Sequence, residues 1–229
     1  MKVCIYGAGA IGGWIGLRLA RAGCDVSVVA RGATLEAIRA HGLRLKEGDD
    51  ELSAQVRASS DPAELGVQDL VVVAVKSQAM GEVAKAIGPL IGPRTVVLTA
   101  MNGVPWWFFD GFGGSYEGTR LRSVDPEGRI ARAIPAKHII GCVLHASCSV
   151  EAPGVVKNHF GNKLIVGEPS CQDTDRLREL GALLRAAGFE VEITPHIHKD
   201  AWYKLWGNMS TNPVIALTGA TTDKILEDD

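Results

Sequence analysis

The chain has 229 residues, 46% of them hydrophobic, and its 24 Lys and Arg stand against 26 Asp and Glu for a formal charge of −2. That length is generous for one domain and short for two, with enough apolar material for a real core. Near-neutral charge without a Lys/Arg-rich block argues against nucleic acid or an anionic membrane surface as the main partner, and no apolar run reaches the length of a membrane span.

The opening residues are strand-like, without a signal-peptide pattern. The five cysteines (Cys4, Cys24, Cys142, Cys148, Cys171) show no CxxC spacing, so free thiols in a reducing cytoplasm are the simplest reading. From residue 2 to about 100, strand-like and helix-like segments alternate, the pattern of a parallel sheet flanked by helices. "KVCIY" predicts a strand, and "AIGGWIGLRLARAG" a helix closed by Gly23. "DVSVVA" is a second strand and "ATLEAIRAHG" a second helix ending at Gly42. "LRLK" and "LSAQVR" flank "EGDDE" as a hairpin, and Asp61 with Pro62 opens a short helical turn. "LVVVAVK" and "TVVLTAMN" predict buried strands around the helix-like "QAMGEVAKAI".

Residues 106–135, rich in glycine, aromatics and arginine, predict a long, partly exposed excursion. "HIIGCVLHA", "GVVKNHF" and "KLIVG" predict three strands. "DTDRLRELGALLRAAG" predicts an amphipathic helix capped by Asp173 or Thr174 and stopped by Gly188, followed by the strand "FEVEIT". Pro195 marks an expected boundary between a first unit, 1–195, and a second, 196–229. The second opens with a tryptophan-rich helix that Pro213 kinks or ends.

Within the first unit, "GAGAIG" joins a strand to a helix. Gly7 permits the tight turn, Gly9 lets the backbone approach a pyrophosphate, and Gly12 lets helix and sheet pack closely. Backbone N–H groups over Gly7, Ala8, Gly9, Ala10, Ile11 and Gly12 then face the negative charge at the helix start. An NAD site carries an acid at the end of the second strand; here Ala30-Arg31-Gly32 offers a guanidinium, which suits the 2′-phosphate of NADPH. Lys76 and Asn102 end buried strands on that same side, where each serves a ligand or caps the next element. Ser147 has a similar but weaker placement.

In "HKDAWYKLWGNMSTNPV", Lys204, Asn208 and Asn212 recur every four residues and share one helical stripe. Trp202, Leu205, Trp206 and Met209 are expected to bury beside it, so the stripe is either a solvated face or a set of groups awaiting a ligand. His196 and His198 are two apart, but no Cys, Asp or Glu cluster completes a metal site. His145 and His159 read as ordinary polar residues in or beside strands.

Taken in order, "GAGAIG", "VARG", "VAVKSQ", "MNGV", "PGVVKNH" and "KLWGNMSTNP" make a chain that resembles the ketopantoate reductase family across its whole length. The resemblance implies an α/β, Rossmann-like NADPH domain followed by an all-helical domain, with a small keto acid in the cleft between them. It implies that residues 7 to 12 and Arg31 bind NADPH, and that Lys76, Asn102 and Ser147 contact the cofactor. Lys204 matches the family's proton donor. Asn208 and Asn212, with Asn102, match its substrate-binding asparagines. Reductases of another keto compound and a non-catalytic NADP(H) sensor stay open as alternatives.

This sequence departs from the family in three places. The family's later helices, with their serine and glutamate, have no counterpart here. Thr222 stands where another asparagine is often found, and the 106–135 excursion is longer. A chain stopping after one apolar helix is expected to be a piece of a longer protein, or to cover that helix with a second copy.

Overall fold

The computed structural model describes residues 1–227. Short runs of β-branched and aliphatic residues form its first strands: β1 (Lys2–Tyr6), β2 (Asp25–Val29), β6 (Gln68–Val73) and β7 (Ile91–Thr99). Helices α1 (Ala10–Arg21), α2 (Gly32–His41) and α3 (Met80–Ala86) connect them, with β3 (Leu43–Glu47), β4 (Asp50–Ala54) and β5 (Arg57–Ser59) between α2 and β6. After the excursion and its short helix, α4 (Arg129–Ala133), come two long strands, β8 (Ile139–Ala152) and β9 (Val155–Gly167). The chain then forms α5 (Asp175–Ala186), β10 (Glu190–Ile193), α6 (Ile197–Thr218) and α7 (Thr222–Leu226).

All ten strands share one sheet, ordered β4-β3-β9-β8-β7-β6-β1-β2-β5, with β10 also on β9. From β8 to β5 every pairing is parallel. The chain adds β2 beside β1, lays β3 and β4 on the opposite edge, returns to place β5 beyond β2, and then crosses to the other side of β1 with β6. The reversal lies between β1 and β6, and a crevice opens beyond the strand ends at such a point.

The sheet also curls. β4 and β5 are its opposite edges, yet only Gln55 and Val56 separate them in sequence. Three Cα–Cα steps span at most about 11 Å, so the edges must approach each other. Helix α1 fills the curl. Trp14, Ile15, Leu17 and Leu19 are fully buried in one cluster with Leu43, Leu45, Val156 and Phe189. A Cβ on Gly13 would stand 2.6 Å from Val156 Cγ2, and one on Gly16 would stand 2.8 Å from Ile5 Cγ1. Only glycine lets the helix sit this deep.

Several expectations need correction. The hairpin turn is the pair Gly48-Asp49, and the tail of "LSAQVR" crosses to the far edge as β5. "GVVKNHF" and "KLIVG" are one strand, β9, because Gly161 at φ +82° carries the chain through an irregularity in the β8–β9 register instead of ending it. Ser147 consequently does not end a strand but lies within β8, opposite Phe160. The excursion is anchored as well as exposed. Trp106, Trp107 and Phe108 are buried, the Trp107 indole donates to Thr99 Oγ1 at 3.2 Å, and buried Asp125 accepts the N–H groups that start α4. Finally, Pro213 lies inside α6, which runs on to Thr218.

Candidate active site

The glycine turn sits at the reversal of strand order. Gly7, at φ +98°, hydrogen-bonds through its N–H to the Val29 carbonyl at 3.1 Å and so brings the ends of β1 and β2 together. A Cβ on Gly12 would lie 1.9 Å from the Gly7 carbonyl oxygen, so this close return of helix onto turn tolerates no side chain. A Cβ on Gly9 would meet nothing within 4 Å. The space above Gly9 is therefore open, and α1 begins there with neither a side-chain cap nor an acid in its first turn. Free N–H groups aimed into open space are what a diphosphate needs.

A cleft of about 390 Å³ runs from this turn, lined by Gly9, Ala10, Ile11, Lys76, Ser77 and Asn102 among others. Its donor set and size fit the diphosphate and nicotinamide half of a dinucleotide. Arg31 is exposed at the N-cap of α2, two residues after Val29, where β2 ends. It lies beside the Tyr6 hydroxyl: burial pushes that phenol above its ordinary value while the guanidinium pulls it down.

Lys76 and Asn102 each stand three residues past their strand, not at its end. Lys76 occupies the N-cap position of a short 3₁₀ turn, Ser77–Ala79, but its side chain makes no capping bond. The Ser77 hydroxyl donates to the Asn102 carbonyl at 3.3 Å, tying the two loops together. Ser147, inside β8, is not among the residues lining this cleft.

Next to it is a narrow crevice of about 20 Å³, room for one water-sized group. Asn102 and Met101 line both spaces. Across the crevice, α6 contributes Lys204 and Asn208, while Thr99, Trp107 and Cys142 form its floor and sides. α6 takes this course because its first turn is pinned: Ile197 is fully buried, within 2.7 Å of where a Cβ on Gly141 would sit. Lys204 is half-buried, and its Nζ donates to the Leu144 carbonyl on β8. Burial pushes the ammonium below the ordinary lysine value, opposed by the neighbouring Cys142 thiol, itself pushed up to about 12 by burial. Among the described residues, no carboxylate forms a salt bridge with Lys204.

The stripe is thus only partly assembled. Lys204 and Asn208 face the crevice, whereas Asn212 is exposed and outside its lining. The apolar residues beside the stripe do not bury as expected: Trp202, Trp206 and Met209 are 55%, 64% and 58% exposed. His196 and His198 part company. His198 is buried, with Nε2 3.2 Å from the Asp110 carbonyl and Nδ1 3.7 Å from Cys171 Sγ, while His196 is exposed. Among the described residues, no three His, Cys, Asp or Glu gather as a metal site, and no helix is long and apolar enough to cross a membrane.

Sequence reasoning missed Ser77, Gln78, Met101 and Cys142. Ser77 and Gln78 directly follow Lys76, so the strand-end argument extended by two residues finds them. Cys142 carries no such signal, being one apolar strand residue among several.

Residues 3–170 match the family model described as ketopantoate reductase PanE/ApbA. A 2-dehydropantoate 2-reductase of Mesorhizobium japonicum is 46% identical over 100% of this chain and 71% of its own length. A crystal structure from Ralstonia solanacearum, provisionally a ketopantoate reductase, superposes with a TM-score of 0.96 at 53% identity, covering 99% of this chain and 70% of the other. That of a 2-dehydropantoate 2-reductase from Geobacter metallireducens gives 0.85 at 30% identity, over 100% and 69%.

Proposed function

The chain belongs to the ketopantoate reductase PanE/ApbA family, and from that premise we propose that it reduces 2-dehydropantoate, a 2-keto acid, to the 2-hydroxy acid with NADPH. One observation carries this reading: the Lys204 ammonium lines the crevice that shares Met101 and Asn102 with the cleft of the glycine turn, and it donates to Leu144, a residue of that cleft's wall.

In this reading residues 1–195 hold the cofactor and residues 196–229 bring the donor. The N–H groups from Gly7 to Gly12 (Ala8, Gly9, Ala10 and Ile11 between them) hold the diphosphate, Arg31 the 2′-phosphate, and Lys76 and Asn102 border the nicotinamide half. Ser147, which is not among the residues lining the cleft, keeps only a peripheral backbone role. NADPH supplies the hydride. The ammonium carries three N–H donors, and with one on the Leu144 carbonyl others are available to the substrate. It then donates to the keto oxygen, stabilises the growing alkoxide and protonates it. Its depressed proton affinity makes that transfer easier. Asn208 and Asn102 hold the acid's polar groups and fix its approach, with Asn212 at the exposed end of the stripe.

The test is NADPH oxidation across a panel of 2-keto acids, 2-dehydropantoate included, for wild type and Lys204→Ala. The expected result is turnover in the wild type and a loss of about 10²–10⁴ in kcat in the variant. Cofactor binding without consumption for every acid would point instead to a sensor and sink the proposal.

A further inference from the structure

An acid spent once per turnover must be recharged, and Lys204 has a candidate beside it. The carbonyl that accepts its ammonium belongs to Leu144, and the next residue on β8 is His145, exposed to solvent. Side chains alternate along a strand, so His145 shares the face of Val143, which packs in the cluster holding Ile197 of α6. The imidazole is therefore on the face that α6 crosses. Four charged groups act on it from the surrounding elements: Lys204 and Asp200 on α6, Lys163 on β9 and Glu192 on β10, the last two paired at 2.7 Å. Asp200 precedes Lys204 by one helical turn, and its Oδ2 is buried without a hydrogen-bond partner.

We propose that His145 returns the proton to Lys204 after each reduction. The inference rests on Lys204 being the donor. Burial first, then the Lys204 ammonium, hold the imidazole below its ordinary value, so it is neutral while Lys204 is charged. When Lys204 gives up its proton, that repulsion vanishes and the imidazole gains affinity for one. Bulk water protonates one ring nitrogen, and the other ring N–H passes its proton to the Lys204 amine. One proton leaves the solvent, one arrives on Nζ, and the imidazole ends neutral as it began.

Two measurements test this. In His145→Ala, the first hydride transfer in a single turnover should match wild type. Steady-state kcat should fall by roughly ten-fold or more, and free imidazole should restore it in proportion to its concentration. An unchanged kcat, or a loss that imidazole does not repair, overturns the inference. Independently of activity, the His145 ring is titrated by NMR without cofactor in wild type and Lys204→Met. Its midpoint should rise towards 6.5 in the variant; an unmoved midpoint overturns the inference even if His145→Ala cannot be folded. Should Lys204→Ala abolish turnover while His145 passes neither test, only the relay fails. Should Lys204→Ala turn over normally, the donor assignment fails and takes the relay with it.

Discussion

At the scale of single residues, the site works by withholding partners. Lys204 is half-buried and, among the described residues, forms no salt bridge, so burial makes its ammonium easier to deprotonate than a surface lysine. The alkaline limb of kcat is therefore expected below the usual lysine value of 10.5, and a pH profile at saturating NADPH measures it. The same depression has a sign for stability. The folded chain binds fewer protons at Lys204 than the unfolded one, so this residue's contribution to stability rises with pH from its lowered value up to 10.5. Arg31 is the complementary case, an exposed guanidinium at the end of β2 where an acid would select NADH. Charge-assisted hydrogen bonds contribute about 1.5–3 kcal/mol each, so Arg31→Ala should weaken NADPH by roughly 10- to 100-fold and NADH far less. Fluorescence titration with both cofactors reads this, and equal weakening refutes the phosphate contact.

At the scale of elements, the clearest anchor is the start of α5. Glu168, almost wholly buried at the end of β9, accepts two bonds from the Arg176 guanidinium at 2.7 and 2.5 Å and one from the Thr174 hydroxyl at 2.5 Å. Thr174 in turn caps the helix at Leu177 N. Removing the guanidinium strands a buried carboxylate, so Arg176→Ala should cost about 3–5 kcal/mol in urea unfolding, with Arg176→Lys recovering part of it. How far these elements could be read from the sequence depended on whether their signals are local. The β1–α1 unit, the α2 stop at Gly42 and the Thr174 cap declare themselves through glycine, caps and periodicity, and all three are where the residues put them. What failed depended on distant neighbours. Gly161 looked like a break, but the β8–β9 ladder on either side carries the chain through it. Pro213 offered a kink or a stop, and it is not the stop, because helical residues on both sides outweigh its one missing donor. Within the stripe, Lys204 and Asn208 share a crevice with Asn102 because Ile197 pins α6 to the sheet, an arrangement that no local pattern announces.

At the scale of the molecule, α6 and the excursion leave an apolar face uncovered. Trp202, Tyr203, Trp206 and Met209 are exposed along the helix, next to the cluster of Phe108, Phe109 and Phe112. Soluble monomers seldom present a contiguous patch of this kind. The 229-residue chain is accordingly expected to self-associate in light scattering, and Trp206→Glu to weaken that association by at least ~10-fold. A monodisperse monomer at high concentration would contradict this.

The curl around α1 bears on how the protein is made. The glycine turn is synthesised well before the strand that presses on its helix, β9 with Val156. A nascent chain halted before that strand carries the glycine turn with one side of its helix still wet. Cofactor affinity should therefore arrive abruptly during synthesis, when the last wall of the curl is laid down, and not grow with length.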